Sequence, residues 1–191
     1  MRISRSGERD GRLILVTGGT ASGKSEYAEQ LAAAMRERSG GGASLWYAAA
    51  MRADVSDQEL MRRIARHRRM REGKGFLTVE LGDGPERLHA AVSPGDTVLL
   101  EDLSNLLANE MFAGGGISYD ADLRIAEELL ALRARGVGIV AVGNSISEDL
   151  PPAGSGTGAF VRSLMRLQNT LCREADRAEE VVCGVAVRYQ G

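Results

Sequence analysis

The chain has 191 residues, 43% of them hydrophobic and 26% charged, with a formal net charge of −2 and only 4% aromatic residues. That length and mix suit one domain with a sizeable core, while the near-neutral charge and scarce rings exclude a general nucleic-acid-binding surface. No apolar run reaches the length of a membrane span, Met1–Gly11 has no hydrophobic signal region, and the chain reads as soluble and cytoplasmic.

Residues 1–11 read as a loose N-terminal arm and 12–191 as a single domain. Leu13–Thr17 predicts a first strand. It runs into Gly18-Gly19-Thr20-Ala21-Ser22-Gly23-Lys24-Ser25, which fits G-x-x-x-x-G-K-[ST], and a helix follows from Ser25 to about Met35. Ser44–Ala50 predicts a second strand. A helix from about Asp57 to Arg71 starts at the capping-box sequence Ser56-Asp57-Gln58-Glu59. Phe76–Glu80 reads as a short strand, and Pro85–Val92 as a helix with proline in its first turn. Thr97–Glu101 is an apolar strand ending in an acid, followed by a helix over Leu103–Met111. Asp120–Arg135 reads as an amphipathic helix closed by Gly136. Val137–Val142 is apolar throughout, as a strand covered on both faces is. Asn144–Gly158 reads as a loop, Gly158 to about Ala175 as a helix, and Val181–Val187 as one last strand. Cys172 and Cys183 lack metal-type spacing and read as reduced thiols in or near the core. The alternation predicts an α/β fold of the P-loop NTPase type, a mostly parallel sheet with helices on both faces.

Four groups of residues point to chemistry. In the Gly18–Ser25 loop, backbone N–H groups can surround phosphate oxygens at a helix N-terminus. Lys24 is placed to reach the β- and γ-phosphates, and Ser25 to hold Mg²⁺. Glu101, at the end of an apolar strand, is the expected Mg²⁺-side carboxylate; Asp102 competes with it, and Glu101 could instead cap the next helix. On the helix over 59–71, Leu60, Ile64 and His67 share one side. Its arginines could form a solvated face. They could equally bind phosphate and keep His67 neutral and nucleophilic. Asn144-Ser145 follows a strand, where loops line the ligand crevice of open α/β sheets.

The chain resembles the bifunctional adenosylcobinamide kinase / adenosylcobinamide-phosphate guanylyltransferase family of cobalamin biosynthesis. The resemblance is carried by Leu15-Val16-Thr17-Gly18-Gly19 with Ser22-Gly23-Lys24-Ser25 and by Tyr47-Ala48-Ala49-Ala50. It continues through Glu59-Leu60-x-x-Arg63-Ile64-x-x-His67, Thr78-Val79-Glu80, and Leu99-Leu100-Glu101-x-Leu103 with Asn109. Phe160-Val161-Arg162, Leu167-Gln168-Asn169 and Ala175–Val181 resemble the family's last helix and strand. It implies two reactions. ATP or GTP phosphorylates the aminopropanol hydroxyl of adenosylcobinamide, and GMP from GTP then passes through a histidine, here His67, to the phosphorylated corrinoid. It implies Lys24 as a catalytic residue, Mg²⁺ on Ser25 and Glu101, and nucleotide contacts from Arg68, Arg69, Arg71 and Glu80. It also implies a homotrimer. The alternatives are a kinase without transferase activity or a P-loop kinase of another small molecule, and a non-catalytic nucleotide-binding regulatory protein. The chain departs from the family pattern at Ser145, where the family has glutamate, at Phe76 in place of tryptophan, at Arg66 before His67, and across Pro151–Gly158.

Overall fold

The computed structural model describes residues 11–40, 42–50, 62, 65, 69, 72–82, 84–145 and 156–191. Its elements are β1 (Leu13–Gly18), α1 (Lys24–Ser39), β2 (Leu45–Ala49), β3 (Phe76–Glu80), α2 (Arg87–Ala91), β4 (Thr97–Glu101) and α3 (Leu103–Phe112). They continue with α4 (Ala121–Ala134), β5 (Gly138–Val142), α5 (Gly156–Glu174), β6 (Arg177–Val182) and β7 (Val185–Gln190). All seven strands form one sheet in the order β3-β2-β4-β5-β1-β6-β7. β1 to β6 run parallel, and β7 pairs antiparallel with β6.

Strand alternation builds a core on each face. Leu13, Leu15, Val98, Leu100, Ile139 and Ala141 point to one side, where Leu106, Leu107, Ile125, Leu129, Leu132, Leu167 and Leu171 of α3, α4 and α5 cover them. Ile14, Val16, Leu99, Val140 and Val142 point to the other, against Ala28, Ala32 and Met35 of α1. Leu13–Val16 is therefore buried at every position. Such a run carries no period-2 signal, because both faces are dry.

The predicted doubly covered parallel sheet is the observed fold. The expected single strand over Val181–Val187 is instead a hairpin. Cys183 and Gly184 both have positive φ, 50° and 82°, as a two-residue type I′ turn requires. That turn leaves Cys183 exposed rather than near the core, while Cys172 is partly buried. Boundaries also move: the first helix runs on to Ser39, and the helix expected from Pro85 starts at Arg87. α5 begins at Gly156, within the segment read as loop. Gly11, assigned to the arm, is already tied in through its N–H to Arg133 O at 2.7 Å. The capping box at 56–59 and the shared face of Leu60, Ile64 and His67 lie outside the described residues. So do most of the Pro151–Gly158 loop and residues 1–10 of the arm.

Candidate functional site

β1 carries the chain to the C-terminal edge of the sheet, where residues 19–23 turn it into α1. Gly23, immediately before α1, has φ 92°, a backbone state that glycine adopts without a side-chain clash. Gly18 is fixed by proximity: a Cβ there would lie 2.7 Å from Val181 O and 2.6 Å from Ser22 Oγ. The unpaired N–H groups of the first turn of α1 face this loop with the positive end of the helix dipole. Lys24 folds back across it, Nζ donating to Gly19 O at 3.0 Å. Ser22 Oγ is buried and, among the described residues, has no partner. A buried hydroxyl left in that state is costly, and a ligand oxygen in the loop would satisfy it.

Two outside segments hold the loop by backbone bonds. Ser145 N, just after β5, donates to Gly18 O at 3.1 Å, and Gly184 N, in the β6–β7 turn, donates to Ser22 O at 2.8 Å.

The two competing acids have different surroundings. Glu101, at the end of β4, accepts the Ser25 hydroxyl at Oε1 and the Tyr47 hydroxyl at Oε2, 3.2 Å away. Asp102 is the N-cap of α3 and accepts from Asn105 N at 2.7 Å. Burial pushes the Asp102 carboxyl above its usual range and the neighbouring Glu101 charge adds to this, against the Asn105 N–H, Lys24 and Asn144. Capping the helix thus belongs to Asp102, and the acid against Ser25 is Glu101. Asn144 is fixed beside them, its Nδ2 donating to Ser104 Oγ and its carbonyl accepting from Gln168 Nε2, both at 3.0 Å.

The structure therefore brings Gly18, Gly19, Thr20, Ala21, Ser22, Gly23, Lys24, Ser25 and Glu101 to one edge. Glu80 ends β3 on the same edge. It is in register with Ala49, as is Glu101 on the other side, so the backbones of the two acids are about 10 Å apart by strand spacing. Arg69 is helical and exposed, while His67, Arg68 and Arg71 lie outside the described residues. The sequence did not single out Tyr47 as the holder of Glu101, nor the grip of Gly184 on Ser22. The first has no local signal. The second was marked by Cys183-Gly184 between two apolar runs, a two-residue turn that reads as a hairpin once its spacing is noticed.

A parallel sheet with this strand–loop–helix unit at its C-terminal edge defines a P-loop nucleotide-binding protein. The ATPase domain of G40P shares the fold, with a TM-score of 0.53 over 91% of this chain and 69% of that one at 15% identity. Within that class the chain belongs to the family described as cobinamide kinase / cobinamide phosphate guanyltransferase, whose pattern matches residues 14–189. It is similar to the "Bifunctional adenosylcobalamin biosynthesis protein CobU" of Escherichia coli (strain K12), at 29% identity over 93% of this chain and 99% of that protein. The protein of the same name from Salmonella typhimurium is 28% identical with the same coverage. Among the described residues no helix is long and apolar enough to cross a membrane.

Proposed function

We propose that this chain phosphorylates the aminopropanol hydroxyl of adenosylcobinamide and then transfers GMP from GTP to the phosphorylated corrinoid through a guanylyl-histidine on His67. The observation that carries the reading is the meeting of Ser25 and Glu101 beside Lys24 in a chain of this family. The names borne by the two curated relatives support it.

The donor set fits Mg²⁺. A serine hydroxyl and one carboxylate are hard oxygen ligands, and this ion takes few protein ligands beside substrate phosphates. When bound, Mg²⁺ neutralises charge on the phosphoryl oxygens. Ser25 and Glu101 would hold it, with Tyr47 fixing the orientation of Glu101. Lys24 would leave Gly19 O for the β- and γ-phosphates, and the loop N–H groups would bind the remaining oxygens. Arg68, Arg69, Arg71 and Glu80 would contact the nucleotide. In the second reaction a neutral His67 attacks the α-phosphorus of GTP. An N–P bond forms as the bond to pyrophosphate breaks. A phosphate oxygen of the corrinoid then displaces the histidine, dividing one difficult displacement into two. The reading includes ATP or GTP as phosphate donor, a homotrimer and a cytoplasmic location.

The test is the intact mass of the purified protein after GTP and Mg²⁺ without corrinoid, beside His67→Ala. An acid-labile gain of one GMP on the wild type and none on the variant is the expected result. GTP binding with no mass gain on the wild type would overturn the transferase half and leave a kinase or a nucleotide-binding relative.

A further inference from the structure

We infer that Glu180 is a positioning residue for the phosphate loop, tying together the two segments that grip its ends. The inference rests on the reading that this loop holds nucleotide phosphates.

Glu180 lies on β6 opposite Thr17, one residue before the pairing of Val181 with Gly18. Both of its carboxylate oxygens are engaged by hydroxyls from other segments. Ser145 Oγ donates to Oε1 at 2.7 Å, and Tyr189 OH, on β7, donates to Oε2 at 2.8 Å. Ser145 is the residue whose own N–H holds Gly18 O, and β7 is the far arm of the hairpin whose turn residue Gly184 holds Ser22 O. One carboxylate thus joins the segment after β5 to the β6–β7 hairpin, and each joined segment holds one end of the loop. Bonds of O–H to an ionised carboxylate are the strong kind. The Ser145 and then the Tyr189 hydrogen bonds hold the Glu180 carboxyl below its usual range, while Glu180 holds the Tyr189 hydroxyl above its own. At neutral pH the acceptor is therefore charged and the donor protonated, as the arrangement needs.

Tyr189 is 68% exposed, so these bonds add little to global stability. Their consequence falls on the position of the loop's N–H groups, where small misplacements of binding groups have large effects.

The experiment measures the dissociation constant for GTP and the thermal midpoint of the full chain for Glu180→Leu, Glu180→Gln, Ser145→Ala, Tyr189→Phe and the double variants. Glu180→Leu is expected to weaken GTP binding about three- to tenfold, the equivalent of one lost hydrogen bond, with little change in midpoint. Glu180→Gln, which keeps one acceptor oxygen, recovers part of the affinity. Ser145→Ala and Tyr189→Phe each weaken GTP binding less than Glu180→Leu, and neither adds to the loss once Glu180 is leucine. Unchanged affinity in Glu180→Leu, a midpoint loss without an affinity loss, or fully additive effects would each overturn the proposal. Tyr189→Phe removes one exposed oxygen, so it stays folded and keeps the test valid if Glu180→Leu does not. A wild type that fails to bind GTP overturns the nucleotide reading itself, and this inference with it.

Discussion

The two edges of the sheet differ in what their charged groups hold: at one, buried acids fasten backbone and indole N–H groups of the fold, and at the other, a lysine lies across a glycine-rich loop. At the N-terminal edge, Asp96 is 7% exposed and accepts from Ser44 N at 2.7 Å, Trp46 Nε1 at 3.0 Å and Ser93 N at 3.0 Å. Asp176 there accepts from Leu13 N at 2.8 Å and pairs with Arg133 at 3.1 Å. A cavity of about 900 Å³ opens on this edge, ringed by Arg12, Arg38, Arg135, Arg177 and Arg188. The C-terminal ends of α1 and α4 meet it, and cations are favoured at helix C-termini whether or not a ligand is present. At the C-terminal edge, by contrast, Lys24 hydrogen-bonds to a carbonyl of its own loop, and the buried hydroxyl of Ser22 has no partner among the described residues. Polar groups saturated from within build the fold. Lack of a partner does not by itself mark a ligand site, since Thr97 Oγ1 and Arg177 Nε at the N-terminal edge are also buried without one among the described residues; what sets the C-terminal edge apart is the glycine-rich loop, whose Lys24 is held by a partner it can leave. The cavity is lined by none of Gly18–Ser25 or Glu101, and so lies apart from the phosphate-loop site.

The comparison breaks most visibly at Lys24. If its ammonium serves substrate phosphate and not the fold, Lys24→Ala should lower turnover of GTP by about 10²–10³ or more, the usual cost of one charge-stabilising donor. Its thermal midpoint should match the wild type. Steady-state rates beside a melting curve check both halves. A large drop in midpoint would show that Lys24 is structural, as the acids of the opposite edge are.

Asp96→Ala is the mirror experiment. It leaves two backbone N–H groups and the Trp46 indole N–H without their acceptor, at a cost of about 3 kcal/mol. For a chain of this size that is a fall of about 6–12 °C in midpoint. Turnover measured well below the midpoint should stay close to wild type. A selective loss of turnover with an unchanged midpoint would contradict the division between the edges.

How much of this was legible in the sequence follows the same division. The Gly18–Ser25 loop and the acid ending β4 were readable because the chemistry is local: glycines, a lysine and a serine at fixed spacing after an apolar strand. Thr97–Glu101 and Phe76–Glu80 were placed to the residue, since short β-rich runs between turn signals leave little freedom. Between Glu101 and Asp102 the sequence favoured Glu101 without excluding Asp102, because Ser25, the partner that separates them, lies 76 residues away, while the Asn105 N–H that makes Asp102 a cap is only three residues on. The hairpin was missed because Val181–Val187 is nearly all apolar, and its break rests on the backbone of Cys183 and Gly184. Glu180 was invisible as a tie between segments, since its partners are 35 residues before it and 9 after.

The smallest expected effect sharpens the account of the saturated groups. Glu179, on β6 facing α1, is 3% exposed and is met by Arg177 at 2.7 Å, Tyr27 OH at 2.8 Å and Arg188 at 3.2 Å. Burial pushes its carboxyl up, but the hydrogen bonds from Arg177, Tyr27 and Arg188 outweigh this and hold it below the ordinary value of 4.5. A carboxylate depressed in the folded state stabilises the fold at every pH above its unfolded value, and that contribution is lost as pH falls through the folded value. Glu179→Gln keeps the shape and one acceptor but removes the charge, so it should cost about 1–2 kcal/mol, or about 2–8 °C. That gap should be constant from neutral pH down to about 4.5 and should shrink below it, as the wild type loses what the variant never had. Melting curves of both proteins across pH 3–7 (roughly the carboxylate range and above it) make the comparison. A gap that persists unchanged at the acid end would mean that Glu179 acts through shape alone, and that its surroundings stabilise the fold by packing and not by charge.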